Sequence, residues 1–296
     1  MRVRFECPTN FISSEIFEGL IEDKDNPECI ILNPGSEIFY GEEYFDSFKD
    51  LKIVGTPSTG VNHMDINYLD KNNIKYFCLL DDRKGLESIT ASAEFTWLHI
   101  MNSLRKFSQS LRYIANWREP NNERHLRSNE LSGKKLGIIG FGRIGRKLKK
   151  YAKAFDMDFK FYDPYVEGGC KDISELYDSD ILSLNCYLTS ETTNLVTEGF
   201  LENFKKPLIV VNTSRGEVVD EKYIANLVRN QEIFYSCDVL CNEQNTKQLY
   251  NSPLFRLLHT GLDYDNLIIT PHVAGCTVES QEKALKTILK LCMKSQ

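Results

Sequence analysis

Arg215, Glu243 and His272 share one setting. Each stands at or just past the end of a short β-branched run, in LIVVNTSR, YSCDVLCNE and NLIITPH. Open α/β sheets build their sites outside the carboxyl ends of the strands, so three such residues in one doubly wound sheet face one crevice. The residue types suit hydride transfer to a 2-keto acid. A guanidinium grips a carboxylate in a two-point fork and polarises the neighbouring carbonyl. An imidazole gives a proton to the oxygen as hydride reaches the carbon, and takes one in reverse. A carboxylate bonded to that imidazole favours its charged form and fixes its orientation. Each residue alone also has an ordinary reading: a surface ion pair for the arginine, a turn for the Pro-His pair, a solvated side chain for the glutamate.

What must position them is a sheet. From Lys135 six strand candidates follow, KLGII, DFKFY, ILSLN, LIVVNT, YSCDVL and NLIIT, separated by helical patterns. That is the full complement of a doubly wound dinucleotide domain. Its first turn, Gly140-Phe141-Gly142-Arg143-Ile144-Gly145, matches G-x-G-x-x-G. Alone the pattern is weak, but here a strand-like run precedes it and a helix-like run, Arg143 to Ala154, follows. Gly140 permits the tight turn, Gly142 lets a pyrophosphate reach the backbone, and Gly145 lets helix and strand pack closely. The helix N-terminus offers free N–H groups to the phosphates. Asp163 closes the second strand about 20 residues on, where an acid suits the adenosine ribose hydroxyls and repels a 2′-phosphate, so NAD is the expected cofactor.

Before this domain, VRFE, CIILN, LKIVGT and IKYFCLL alternate with polar or turn residues, the rhythm of βαβ units on a parallel sheet. A long helical candidate, TASAEFTWLHIMNSLRKFSQSLRYI, places Ala93, Trp97, Leu98, Met101 and Leu104 on one face. After the last strand, TVESQEKALKTILKLCMKS reads as an amphipathic helix with Ala284, Leu285, Ile288 and Leu289 on its apolar face. With no strands of its own it must pack on something already built.

The 296 residues are comfortable for two domains. A formal net charge of -6 disfavours a nucleic-acid partner. No apolar run is long enough to span a bilayer, and MRVRFECPTNF lacks the pattern of a signal peptide. Nine scattered cysteines without a C-x-x-C pair suit a reducing cytosol, so the expected location is cytoplasmic. Cys237 and Cys241 lack a second ligand pair nearby, and no metal site is expected.

Taken together, LSGKKLGIIGFGRIGRKLKKYAKAFDMDFKFYDPY, VVNTSRGEVVDE, CDVLCNE and ITPHVAGCT resemble the motifs of the D-isomer-specific 2-hydroxyacid dehydrogenases. VGTPSTGVNHMDI is similar to that family's substrate loop, and the likeness covers most of the chain. It implies an α/β fold of two Rossmann-like domains. A flavodoxin-like substrate domain would span 1–100 and 276–296, and an inserted doubly wound NAD-binding domain 101–275. It implies Arg215 as substrate binder, His272 as acid/base and Glu243 as its partner. Backbone groups of Thr59, Gly60 and Val61 would bind the substrate carboxylate. Arg143 and Ile144 would lie on the pyrophosphate, Asp238 near the nicotinamide amide, and Thr213, Ala274 and Gly275 at the nicotinamide end. A homodimer through the cofactor domain is implied, with the helix near Trp97 and the segment around Trp117 as candidate contacts.

The chain also departs from the family. Gln244 stands where the family often has a proline, and the segments DDRKGLESIT and 244–265 are longer than usual. Arg83 and Lys84 in the first of these could meet a second anionic or polyhydroxylated part of a substrate, or simply be solvated. The alternative functions are a phosphite- or formate-type dehydrogenase and an NAD-sensing corepressor-like scaffold. A short-chain dehydrogenase would need a Tyr with a Lys four residues on, and no tyrosine has one.

Overall fold

The computed structural model describes residues 1–35, 38–260 and 264–295. It divides into two compact units, one of residues 1–91 with 275–296 and one of residues 92–274. The chain therefore leaves the first unit once, builds the second, and returns.

In the first unit β1 (Arg2–Phe5), β2 (Ile21–Glu22), β3 (Cys29–Ile31), β4 (Ile53–Gly55) and β5 (Lys75–Phe77) form a parallel sheet ordered β2-β1-β3-β4-β5. This is the flavodoxin-like order. Four of the strands fall on the predicted runs. The edge strand β2 was not foreseen, because two exposed residues carry no alternation to read. Every residue of β3 and β4 is buried, so both read as unbroken apolar runs. The tail helix Val278–Lys294 lays Ala284, Leu285, Ile288, Leu289 and Cys292 onto a core with Val3, Ile31 and Ile53. Gly55 makes room for it: a Cβ there would stand 2.4 Å from Ile288 Cγ2.

In the second unit β6 (Lys135–Ile139), β7 (Asp158–Tyr162), β8 (Ile181–Leu184), β9 (Leu208–Asn212), β10 (Ile233–Cys237) and β11 (Leu267–Ile269) are all parallel, in the order β11-β10-β9-β8-β6-β7. All six match the predicted runs. The strand order reverses at β6, which pairs with β7 on one side and β8 on the other. That reversal is the switch point where open α/β sheets take ligands.

The long helix differs from expectation. It runs Ala91–Arg105 and breaks at Lys106, whose φ is +51°. The short helix Phe107–Ser110 and the 3₁₀ turn Leu111–Asn116 follow. Its buried side holds Ala93, Thr96, Trp97, His99, Ile100, Ser103 and Leu104, whereas Leu98 is 52% exposed. Trp97 packs against Tyr151 and Phe155 inside the unit's own core, with ring centroids at 5.8 and 5.3 Å. The expected division at residue 100 would have cut this helix. The compact units instead divide at residues 91 and 92, because the helix packs on the second sheet.

Candidate active site

β9 delivers Arg215 through a turn that Asn212 organises. The buried Asn212 side chain donates to Arg215 O at 2.9 Å and accepts from Ser214 N at 3.1 Å and Ser214 Oγ at 2.8 Å. Arg215 Nη1 donates to Ser214 O at 2.7 Å. Among the described residues the guanidinium takes no carboxylate partner. Gly216 then brings the turn against the loop after β10, since a Cβ on it would lie 2.1 Å from the Leu240 carbonyl carbon. Backbone thus packs directly on backbone, which sets the arginine turn beside the glutamate loop.

That loop is held by three carboxylates. The N–H groups of Leu240, Cys241 and Asn242 donate to Glu243 at 2.9 Å, Glu221 at 2.9 Å and Glu217 at 3.1 Å. Glu221 is 6% exposed and also accepts from Ser252 Oγ and Leu254 N. Sequence reasoning did not single out Glu217 or Glu221. Their only signal was position, in the turn and at the start of the helix (Glu221–Arg229) that follow the arginine.

His272 lies just past β11 with φ +52°, a left-handed conformation costing about 1–3 kcal/mol for a residue with a Cβ. Its N–H donates to Asp238 O at 2.9 Å and Thr270 O at 3.0 Å, which holds the turn. Its Nδ1 lies 2.5 Å from Glu243 Oε1, on a carboxylate already oriented through its other oxygen by Leu240 N. The ring is half exposed. The bond to Glu243 raises the imidazole pKa above its ordinary value, while burial and the charge of Arg215 oppose the rise. His272 and Glu243 are therefore in contact, and the charge of Arg215 acts on the same imidazole. With Nδ1 committed to Glu243, Nε2 is the nitrogen left to exchange a proton with a ligand.

The glycine motif lies at the carboxyl end of β6. Gly140 has φ +87°, and a Cβ on it would meet the Asn185 backbone at 2.7 Å. A Cβ on Gly145 would lie 2.5 Å from Gly140 O. Gly142 differs: its φ is -73° and a Cβ would meet nothing within 4 Å. Neither backbone strain nor packing calls for glycine there, so the open space suits a ligand approaching the backbone. Arg143 and Ile144 begin the twelve-residue helix behind it. Asp163 follows β7 and accepts from Phe141 N at 2.7 Å and Tyr165 N at 2.9 Å, which ties it to the glycine loop. These residues fit a dinucleotide.

The remaining predicted residues are placed as follows. Thr213 is buried, its Oγ1 at 2.7 Å from Thr96 Oγ1. Asp238 is 1% exposed and turns toward its own neighbours, accepting from Thr270 Oγ1 at 2.5 Å, Val273 N at 3.0 Å and Ala274 N at 2.8 Å. Gly275 O accepts from Ser280 Oγ at the head of the tail helix. In the first unit Thr59, Gly60 and Val61 follow β4 half-buried, with Gly60 N donating to Ser58 Oγ at 3.1 Å. Arg83 and Lys84 begin the exposed side of a short helix, Arg83–Glu87. The long segment 244–265 folds into helices Thr246–Leu249 and Pro253–Leu257, with Leu254 and Leu257 buried; residues 261–263 lie outside the described ones. Among the described residues no cluster of His, Cys, Asp or Glu could hold a metal ion, and no helix is long and apolar enough to cross a membrane.

Residues 97–274 match the family model of the D-isomer specific 2-hydroxyacid dehydrogenase, NAD binding domain. The chain belongs to this family. Its second unit is the family's NAD-binding domain, and NAD is its cofactor. A glyoxylate reductase of Thermofilum pendens is 30% identical over 278 residues, covering 89% of this chain and 76% of the relative. A D-3-phosphoglycerate dehydrogenase of Archaeoglobus fulgidus is also 30% identical, over 89% of this chain, but the match spans only 48% of its own length. Among solved structures, a D-lactate dehydrogenase of Aquifex aeolicus complexed with NAD and lactic acid superposes with a TM-score of 0.78 at 23% identity, covering 100% and 95% of the two chains. That structural likeness shows the two-domain α/β fold.

Proposed function

We propose that this dehydrogenase interconverts a short D-2-hydroxy acid and its 2-keto acid. NAD supplies or accepts the hydride when bound in the second unit. Arg215 binds the substrate carboxylate and polarises the carbonyl. His272 Nε2 protonates the carbonyl oxygen in reduction and removes the hydroxyl proton in oxidation, with Glu243 orienting the ring and favouring its charged form. One observation carries the assignment: the 2.5 Å contact of His272 Nδ1 with Glu243, within the field of Arg215. Thr59, Gly60 and Val61 are assigned as backbone donors to the substrate, on the likeness of their loop. Relatives named glyoxylate reductase and hydroxypyruvate reductase support a short substrate.

The test is NADH oxidation against a panel of short, bulky, sugar-derived and phosphorylated 2-keto acids. Turnover on one class is expected, and His272→Ala should abolish it while NADH binding persists. Full activity in that variant would overturn the assignment. NAD-dependent oligomerisation without turnover would support a scaffold role instead. A homodimer is proposed through the second unit, where Leu98, Phe107, Leu111, Ile114 and Trp117 are exposed. Trp97, buried in its own core, is not part of that surface.

A further inference from the structure

His99 is a buried histidine that the proposed chemistry does not use. It projects from the helix Ala91–Arg105 into the second unit and is 3% exposed. Its Nδ1 lies 2.6 Å from Ser236 Oγ and its Nε2 3.1 Å from Thr270 Oγ1. The Thr270 hydroxyl has one proton, and its shortest acceptor is Asp238 Oδ1 at 2.5 Å; the alternative, Cys237 O, is 3.4 Å away. With that proton committed to either, Thr270 Oγ1 can only accept from the imidazole. His99 must then carry its proton on Nε2, and its bare Nδ1 accepts from Ser236. Burial lowers the His99 pKa, with the Asp238 charge opposing, which suits this neutral form.

The proton order is thereby set from end to end. Ser236 O–H donates to His99, His99 N–H to Thr270, and Thr270 O–H to Asp238. Asp238 also takes the N–H groups of Val273 and Ala274 and, through its own carbonyl, that of His272. Every link lies in the second unit. The chain ends on the left-handed turn that aims His272.

We infer that His99 is a positioning residue for the proposed dehydrogenase reaction, holding Thr270 and Asp238 so that the 270–274 turn presents His272 in one geometry. The inference rests on the dehydrogenase reading. A buried imidazole with two partners has one orientation, whereas a threonine hydroxyl alone can rotate. Misplacing a catalytic group by a fraction of an ångström is enough to cost rate.

The test combines turnover with a measurement independent of it. Nitrogen-15 NMR of the His99 ring should find Nε2 protonated and Nδ1 bare. The opposite tautomer overturns the inference whether or not the enzyme turns over. With an active wild type, His99→Leu should lower kcat about tenfold and leave KM for NADH within about twofold. Thr270→Val should do the same, Thr270→Ser should restore most of kcat, and His99→Leu added to Thr270→Val should cost little more. Wild-type kcat in His99→Leu, or fully multiplicative losses in the double variant, would refute the role. Should His99→Leu not fold, the Thr270→Val and Thr270→Ser pair still decides, since equal activity in the two contradicts the chain. A wild type inactive on every keto acid would sink the dehydrogenase reading and the positioning role with it, whereas the opposite tautomer in an active enzyme would sink the positioning role alone.

Discussion

At the scale of single residues, the three glycines of one motif separate by cause. Gly140→Ala would force a Cβ to 2.7 Å from the Asn185 backbone at φ +87°. It should lower the melting temperature by several degrees, for a loss of roughly 1–3 kcal/mol. Gly142→Ala meets nothing and keeps an ordinary φ. It should melt like the wild type yet weaken NADH in a fluorescence titration; unchanged affinity would remove the ligand as the reason for that glycine. In the proposed reaction His272 carries the pH dependence. Its pKa is raised by Glu243, so the imidazolium that the proposed keto-acid reduction needs persists above the ordinary value of about 6.5. Reduction should fall as pH rises through the raised value, and the accompanying stability, complete below about 6.5, should be lost over the same span. Glu243→Gln removes the main cause of the shift. The kcat profile for reduction should move to lower pH, and a profile that stays put would contradict the pairing.

At the scale of elements, the site depends on how loops are tied to strand ends. The loop after β10 gives its N–H groups to Glu217, Glu221 and Glu243, and the first two come from the segment after β9. Glu221→Ala would strand Cys241 N, Leu254 N and the Ser252 hydroxyl, at about 1–3 kcal/mol for each buried donor left unpaired. Urea denaturation should register the loss, and kcat should fall more than KM for NADH because Glu243 is displaced. A destabilised variant with wild-type kcat would show the loop to be indifferent to Glu221. The helix Ala91–Arg105 teaches a second lesson. Periodicity gave its existence and most of its apolar face, but placed Leu98 inward and missed Thr96, His99 and Ser103. Hydrophobic spacing sees only apolar partners. A buried polar side chain is stable through particular partners; Thr96 and His99 each have one more than a hundred residues away along the chain, whereas Ser103 bonds to His99 O one turn back.

At the scale of the whole molecule, two predictions separate the units. NADH at about 100 times its Kd should stabilise the second unit by about 2.7 kcal/mol, read as slower hydrogen exchange in β6, β8 and β9. Leu285→Ala in the tail helix should destabilise the first unit by about 2–5 kcal/mol, because Leu285 is 1% exposed in that unit's core. Exchange in β3 and β4 should accelerate, and unchanged rates there would argue that the helix does not hold that sheet. Ten of the eleven strands among the described residues, the nucleotide turn and the strandless tail helix were legible in the sequence, as was the placing of Arg215, Glu243 and His272 just past strand ends. These are local matters, written in apolar runs, glycines and strand ends whose causes lie within a few residues. Only the tertiary structure decided the edge strand β2, the break at Lys106, the Gly216 contact that sets arginine beside glutamate, and the hydrogen bonds converging on the His272 turn. The edge strand, the Gly216 contact and the His272 turn depend on partners that chain order does not bring near, and packing supplies them; the break at Lys106 is instead held locally, by Asn102 bonding Ser108.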